Sequence, residues 1–379
     1  MSGVASRRRG VGFSLDPLRD RWESAPGWAR WVVYLLLIVG ALLLPSQGIG
    51  SFMAPGESDW PTMLSDQIGI YVLLGLGLNV VVGMAGLLDL GYVAFYAVGG
   101  YTIAIFATKY HWSFWETLIL AILTASLAGV LLGAPTLRLR GDYLAIVTLG
   151  FGEIVRVTAN NLDYVNGPRG VQGIPHPPSL SEWTVAGTDI QPFKYGLLDS
   201  RPYYYLLVFL IVLAIIFVKR LEMSRVGRAW ASIREDEDAA ELMGVPTFKF
   251  KLAAFAIGAA IGGSGGVVFA AKQTSINPGS FTFMVSALVL AGVVLGGSGN
   301  IPGVIVGAFL LAWLPERFRG LSDYRMLIFG LALVAMMIFR PEGLWPSRQR
   351  KAELAEGTGG MGSMGAEVAG PGTAAEVTK

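Results

Sequence analysis

Cysteine is absent from this sequence of 379 residues, and histidine occurs only twice. The lack of thiols excludes disulfides, thiolate metal sites and thiol catalysis, and two histidines cannot form a histidine-rich metal cluster. Charged side chains are also scarce, at 15% of residues, whereas soluble domains carry about 25%. The phosphate-binding pattern G-x-x-x-x-G-K-[ST] does not occur, so we expect no ATP or other cofactor bound in a P-loop. We predict no catalytic residue and no metal site.

Apolar residues dominate the chain: 53% of it is hydrophobic, its mean hydropathy is +0.55, and it contains 50 glycines. A helix needs about 20 apolar residues to cross the hydrocarbon core of a bilayer. Candidate spans are 29–48, 64–83, 91–108, 117–134, 143–159, 203–219, 250–271, 281–297, 302–315 and 324–340. The sequence thus predicts an all-α integral membrane protein with about ten transmembrane helices. Eight or nine remain open, because 281–315 could be one broken or re-entrant element.

Most of the 29 basic residues fall in segments that ten spans would place on the side of the N-terminus. Cytoplasmic segments are enriched in Lys and Arg, so we expect both termini in the cytoplasm and the protein in the cell (inner) membrane. The domains would be a cytoplasmic arm (1–28), a transmembrane domain (29–346) and a disordered cytoplasmic tail (347–379). Within the second domain, 160–202 is predicted as an outer loop and 219–248 as a cytoplasmic segment.

One charged stretch, RVGRAWASIREDEDAAELMGVP, stands between the apolar runs. Its apolar residues recur at the spacing of one helix face; they are Val226, Ala229, Trp230, Ile233, Ala240 and Met243. A second helix is predicted to begin within the acidic run, with Asp238 and Glu241 as its capping box. Gly244 and Pro246 then predict the helix end.

Three interpretations of this amphipathic stretch compete. A helix lying among lipid headgroups usually has a basic polar face, whereas four consecutive acids would be repelled by anionic lipid. The second interpretation is a solvated connector. The third, which we favour, is a docking helix: its apolar ridge, anchored by Trp230, enters a groove on a soluble partner, and its charges set the register.

The same stretch carries a family resemblance. DAAELMG, from Asp238 to Gly244, resembles the E-A-A-x-x-x-G signature of the permeases of ABC importers, with Asp238 in the place of the Glu. Five longer stretches accompany it in order: LRLRGDYLAIVTLGFGEIVR, NGPRGVQGIP, GRAWASIREDEDAA, SFTFMVSALVLAGVVLGGSGNIPG and FRPEGLWP. Together they are similar to the M-type permease subunits of branched-chain amino-acid importers (LivM family) over about residues 65–346.

The resemblance implies an ABC-importer permease fold with a cytoplasmic coupling helix, and alternating access driven by partner subunits. An extracytoplasmic binding protein would deliver leucine, isoleucine, valine or a related amino acid. A homologous H-type permease would pair with this chain, and two cytoplasmic ATPases would bind ATP and Mg²⁺. Lipid would surround the complex, and we expect no nucleic-acid partner. The residues assigned to ATPase coupling are Arg225, Gly227, Arg228, Trp230, Glu235, Asp236, Glu237, Asp238, Ala239, Ala240 and Gly244.

Charged residues at membrane depth suggest function because they are costly there. Glu153 and Arg156, three residues apart on one helix face, are expected to pair, either as a structural ion pair or along the pathway. Asp89 lies between the second and third predicted spans. It would face the pathway if the chain re-enters the membrane there, and would be solvated in a plain turn; we favour the solvated turn. Asp142 is predicted to cap the helix that follows it.

A valine or leucine zwitterion needs dipoles for its two charged ends, which unwound segments and half-helix ends can supply. Asn79, Thr148 and the segment 296–303 are candidate contributors, although the resemblance implies that specificity rests mostly with the binding protein. Glycines recur four residues apart in α-helical runs, and we favour close helix packing there over a hinge. These glycines are Gly258, Gly262 and Gly266, with the pairs Gly292/Gly296 and Gly303/Gly307.

Two alternatives stay open. The nearer is a urea or short-amide permease of the same superfamily, and LRLRGDYLAIVTLGFGE argues against it. The other is a gradient-driven secondary carrier, which would need a chain of buried acids or inverted repeats with broken helices; only Glu153 and Asp89 are available for that role. Uptake that survives without ATP but fails without the proton gradient would favour the carrier.

Overall fold

The computed structural model describes residues 59–137, 139, 141–179, 194–196 and 199–317, with isolated positions between 40 and 45 and between 327 and 345. Apart from those positions, the predicted arm, the first and last predicted spans and the predicted tail lie outside the described residues. The described helices are α1 (Trp60–Met84), α2 (Val93–Lys109), α3 (Phe114–Thr136), α4 (Asp142–Asn161), α5 (Arg201–Glu222), α6 (Arg225–Glu235), α7 (Glu237–Leu242), α8 (Thr247–Gln273), α9 (Phe283–Gly296) and α10 (Ile301–Arg317).

Eight of these ten helices coincide with the eight predicted spans that fall on described residues, and α6 and α7 form the charged stretch between them. Among the described residues, five helices are long and apolar enough to cross a membrane: α1, α3, α5, α8, and α9 together with the 3₁₀ turn that precedes it. The apolar helices α2 and α10 are shorter, and α4 includes three charged residues over its 20 positions. The chain is therefore an all-α, multi-pass membrane protein.

The glycines of α8 bring the backbones of its neighbours close. A Cβ on Gly258 would lie 3.0 Å from the carbonyl oxygen of Gly77 in α1, and a Cβ on Gly266 would lie 2.0 Å from the carbonyl oxygen of Tyr96 in α2. The same device joins α9 to α10, where a Cβ on Gly296 would meet the carbonyl oxygen of Gly303 at 2.1 Å. The prediction of close packing at these glycines is confirmed, since no larger side chain fits.

The connection between α1 and α2 runs through the interior of the helix layer. Residues 85–92, which we call the α1–α2 linker, are not helical, yet Leu87 and Asp89 are buried. At its end, the hydroxyl of Tyr92 donates to the carbonyl oxygen of Gly258 at 2.8 Å. Gly258 lies eleven residues after the first residue of α8, so α2 begins about 16 Å along that helix. The linker is therefore an interior chain break and not a turn at the membrane surface.

The α6–α7 segment (225–244) marks one end of the helix bundle, which we call the α6–α7 face. α1 ends at this face, because Arg234 of α6 donates to the carbonyl oxygen of Gly83. The opposite face holds the turn after α2 and a two-stranded antiparallel sheet, β1 (Val171–Gln172) with β2 (Ser275–Ile276). Helix α5 runs between the two ends, so the described residues of the predicted segment 160–202 lie on the face opposite to the segment 219–248.

Candidate functional site: the α6–α7 segment and the α1–α2 linker

Local capping forms the two short helices of the α6–α7 segment. Ser224 caps α6, with its hydroxyl accepting from the amide of Val226 at 3.1 Å. Asp236 is extended and caps α7, its carboxylate accepting from the amide of Ala239 at 3.0 Å. The prediction of Asp238 as the cap is wrong, because Asp236 already satisfies the free amide of the first turn. Asp238 lies within that turn, where its charge still suits the positive end of the helix.

The segment ends in a tight, glycine-dependent turn. The amide of Val245 donates to the carbonyl oxygen of Ala240 at 3.0 Å, and the amide of Gly244 to that of Glu241 at 2.9 Å. This pair of bonds is the Schellman motif, which needs a left-handed residue, and Gly244 has a φ of +87°. The predicted helix end at Gly244 is confirmed. Gly227 lets the first turn of α6 pack against the end of α5, because a Cβ there would lie 2.2 Å from the carbonyl oxygen of Glu222.

The apolar ridge of α6 faces its own chain. Ala229, Trp230 and Ile233 are buried, Trp230 completely, and the indole N–H of Trp230 donates to the carbonyl oxygen of Phe250 in α8 at 2.7 Å. The prediction that Trp230 anchors a partner protein is therefore wrong, because the indole is enclosed between α6 and α8 with its polar group satisfied. Ala240 is buried as well.

The surface that the segment exposes combines charge with a few apolar side chains. Leu242 is 88% exposed, Met243 85% and Met223 68%. The predicted place of Met243 on the buried ridge is wrong, since α7 ends before that residue and the chain turns there. The exposure of Met223 and Leu242 was not predicted, although each is an apolar residue beside the end of a helix, α5 and α7 respectively. The exposed members of the predicted coupling set are Arg225, Arg228, Glu235, Asp236, Asp238, Ala239 and Gly244, whereas Glu237 pairs with Lys251 of α8.

A chain of contacts runs from α6 to the turn between α9 and α10. Arg234 of α6 donates to the carbonyl oxygen of Gly83, which lies in the π-helical last turn of α1, Asn79–Met84. Asn79 is completely buried, and its side-chain oxygen accepts from the amide of Gly299 at 2.8 Å. A Cβ on Gly83 would lie 2.0 Å from that oxygen and 2.5 Å from the Gly299 nitrogen. Three elements thus meet at Gly83.

Asp89 lies in the α1–α2 linker and is completely buried, so the interpretation as a solvated turn is wrong. The physical reason is the interior position of the linker. One carboxylate oxygen accepts from the amide of Gly91 at 2.8 Å. Thr148 of α4 lies beside the linker, and its hydroxyl donates to the carbonyl oxygen of Ala145 at 3.0 Å. The Thr148 hydroxyl in turn accepts from the amide of Leu90 at 3.0 Å. The second carboxylate oxygen of Asp89 has no hydrogen-bond partner among the described residues.

The predicted pairing of Glu153 with Arg156 on α4 is confirmed. The Arg156 Nε atom lies 3.0 Å from each carboxylate oxygen of Glu153, and the two side chains keep 30% and 46% exposure, respectively. Asp142 is the first residue of α4, and Gly141 is its cap, so the predicted capping role of Asp142 is wrong. In the described part of the chain, no group of three acidic or histidine residues could hold a metal ion.

Known proteins similar to this chain point to one family. The sequence model of the family described as "Branched-chain amino acid transport system / permease component" matches residues 62–339. The chain belongs to this family. No solved structure matches it.

Individual relatives narrow the assignment within the family. The chain is 45% identical over 332 residues to the high-affinity branched-chain amino acid transport system permease protein LivM of Salmonella typhimurium. The matched region covers 85% of this chain and 77% of that protein. It is 26% identical over 313 residues to a probable LivM of Methanocaldococcus jannaschii, covering 72% of this chain and 85% of that protein. The high-affinity branched-chain amino acid transport system permease protein LivH of Salmonella typhimurium is 26% identical over 291 residues, which cover 72% of this chain and 92% of that protein. The resemblance to M-type permeases is confirmed.

Proposed function

We propose that this chain is the M-type permease subunit of an ATP-driven importer for branched-chain amino acids in the cytoplasmic membrane. The observation that carries the proposal is the 45% identity to a LivM permease over 85% of the chain. The α6–α7 segment supports it independently: the segment is polar and helical, and it is attached rigidly to α8 and α1 through Trp230 and Arg234. Such a segment can transmit a movement of a soluble partner to the membrane helices.

The soluble partners would be two cytoplasmic ATPases, which bind ATP and Mg²⁺ in place of this chain. Their contact surface on this subunit would be the exposed side of the α6–α7 segment, with Leu242 and Met243 entering the ATPase cleft. Exposed apolar side chains beside charged ones suit such an interface, since the apolar groups supply binding energy and the charges set the register. This proposal puts the α6–α7 face in the cytoplasm, together with both chain termini.

The second permease, of the H type, would cover α4. An ion pair that is partly exposed at membrane depth is costly against lipid, and Glu153 and Arg156 form such a pair on α4. The exposed side of α3 differs, because beyond Glu116 in its first turn it presents apolar side chains at helical spacing, among them Leu123 and Leu127. We assign α3 to lipid and α4 to the partner. The binding protein would dock at the opposite face, near the outer loop.

Reconstitution tests the proposal directly. The chain is purified with the H-type permease and the two ATPases, placed in proteoliposomes, and supplied with leucine-loaded binding protein. We expect leucine uptake that needs ATP and persists when an ionophore collapses the proton gradient. The chain has no cysteine, so single thiols can report contacts: Leu242→Cys should cross-link to an ATPase, whereas the exposed Gln172→Cys on the opposite face should not. Uptake driven by the gradient without ATP, or cross-linking at position 172 only, would contradict the proposal.

A further inference from the structure

The carboxylate of Asp89 is only half satisfied by its surroundings. One oxygen receives the Gly91 amide, while the other is buried without a partner among the described residues. Among the described residues, no basic side chain forms an ion pair with it, and the Gly91 amide is its hydrogen-bond donor. A buried polar atom without a partner costs free energy, more so if it is charged. Such an atom in a folded protein calls for an explanation, and a partner that arrives in another conformation is one.

The position of Asp89 suits a ligand that crosses the membrane. It lies in the α1–α2 linker, where the chain is unwound in the interior and α2 begins part-way along α8. Unwound segments between half-helices supply free polar groups at membrane depth, which is why ions and charged substrates bind there in transport proteins. Asp89 adds a carboxylate to that arrangement, and its oxygen without a partner among the described residues is available to accept a hydrogen bond from a cation.

Helix α4 covers this position in the present conformation. A Cβ on Gly91 would lie 1.8 Å from the carbonyl oxygen of Thr148, and a Cβ on Gly152 would lie 3.2 Å from the Cα of Gly91. The two glycines therefore let α4 lie directly on the linker. The other side of α4 carries exposed residues such as Ile154. A displacement of α4 away from the linker would expose the carboxylate towards the surface assigned above to the second permease.

We infer that Asp89 binds the primary ammonium group of the transported amino acid once α4 moves off the α1–α2 linker. The inference rests on the proposed function and adds the chemical class that the route recognises. A carboxylate and an ammonium form a charge-assisted hydrogen bond, which is stronger than a neutral one. Urea and short amides can donate an N–H hydrogen bond to Asp89, but they carry no positive charge and gain no charge assistance there. The residue thus favours zwitterionic amino acids over neutral amides at a point inside the permease.

The first test removes the charge and keeps the shape. Asp89→Asn retains an oxygen for the Gly91 amide. In the reconstituted complex we expect maximal leucine uptake to fall about tenfold or more, the loss expected when a hydrogen bond to a charged group is removed. The concentration of loaded binding protein that gives half-maximal uptake should not change. Tyr101→Phe is the matched control, because it removes another buried oxygen that has no partner in the described part of the chain, and it removes no charge; it should transport normally.

The outcomes separate the two proposals. If the unmodified complex shows no ATP-dependent uptake of leucine, the proposed function fails. If the unmodified complex transports and Asp89→Asn transports equally well, the inference about Asp89 fails, since a neutral side chain then suffices.

A second test measures the attraction for an ammonium group without relying on uptake. Thr148→Cys puts a thiol beside Asp89. The partner subunits are used as cysteine-free variants, so that this thiol is the one that reacts in the complex. During ATP turnover, cationic aminoethyl methanethiosulfonate should react about tenfold faster than neutral methyl methanethiosulfonate, after each rate is divided by that with a free thiol, because opposite charges at this range attract strongly. Adding Asp89→Asn should remove the preference. An unchanged preference, or no labelling during turnover, would overturn the inference.

Discussion

The residues of the α6–α7 segment form two groups: some pack against the rest of the chain and fix the segment in place, and others are exposed on its surface. Trp230 belongs to the first group, since it is buried and bonded to Phe250. Leu242 and Met243 belong to the second, since both are almost fully exposed. An indole of this size contributes to the stability of the packed state, and its loss in other proteins costs about 3–5 kcal/mol. A contact surface for a partner must instead be sought among the side chains after the acidic run.

Gly244 allows a test of that surface at one residue. Its φ is +87°, and a Cβ there would meet nothing within 4 Å. Gly244→Arg should therefore cost only about 1–2 kcal/mol of backbone strain and leave the protein inserted in the membrane. We expect the added side chain to obstruct the ATPase, so that ATP hydrolysis no longer drives leucine uptake in the reconstituted complex.

Gly173 is the matched control for this substitution. It has a φ of +75° and equally open space, but it lies on the opposite face of the protein. Gly173→Arg should carry the same strain and keep the ratio of ATP hydrolysed to leucine transported. Normal transport by Gly244→Arg would remove the assignment of this surface to the ATPase.

At the scale of elements, the last turn of α1 connects the α6–α7 segment to the rest of the bundle. This turn is π-helical, a form that often occurs at functional sites. On one side, its Gly83 carbonyl oxygen accepts a hydrogen bond from Arg234, and on the other, its Asn79 side-chain oxygen accepts one from the amide of Gly299. Because both contacts lie within six residues of one turn, a shift of α6 would be passed to the turn between α9 and α10.

Two substitutions test this connection. Arg234→Gln and Asn79→Leu should each raise the ATP hydrolysed per leucine about fivefold or more, the lower end of typical coupling between sites. The double variant should be no worse than the more affected single one, because residues in one chain of contacts do not act additively. Lys249→Gln, which removes an exposed cation at the start of α8, is the control for loss of charge. Additive effects would indicate two unrelated lesions and contradict a single connection.

At the scale of the whole molecule, the exposed sides of α3 and α4 have different chemistry. Both are apolar, but only α4 carries an ion pair, Glu153 with Arg156. Paired charges are tolerated at membrane depth when protein covers them. The exposed side of α3 is therefore suited to contact with lipid. The exposed side of α4 is suited to contact with another polypeptide.

Cross-linking distinguishes these two surfaces. Ile154 on α4 is 62% exposed and Leu127 on α3 is 58% exposed, so the two positions are matched in accessibility. In the assembled complex, Ile154→Cys should form a cross-link to the H-type permease, whereas Leu127→Cys should react only with lipid-soluble thiol reagents. The reverse pattern would move the subunit interface from α4 to α3.

Local sequence information predicted several features of the site correctly. The helix end at Gly244 follows from a glycine and a proline two residues apart, and the Glu153–Arg156 pair from their spacing on one helix. Both depend on neighbours within a few residues, so the chain order already contains the geometry. The capping residue of α7 was misplaced by two positions, since four consecutive acids offer several candidates for one amide.

What the sequence by itself determined is the set of helices, their apolar character and the family to which the chain belongs. The tertiary structure alone decided which apolar faces the chain covers itself, as for Trp230, and where a polar residue lies in depth, as for Asp89. Asn79 and Gly299 are 220 residues apart in the chain, and no local pattern brings them together. The physical reason is that periodicity reveals that a face must be buried, whereas packing against distant helices decides what buries it.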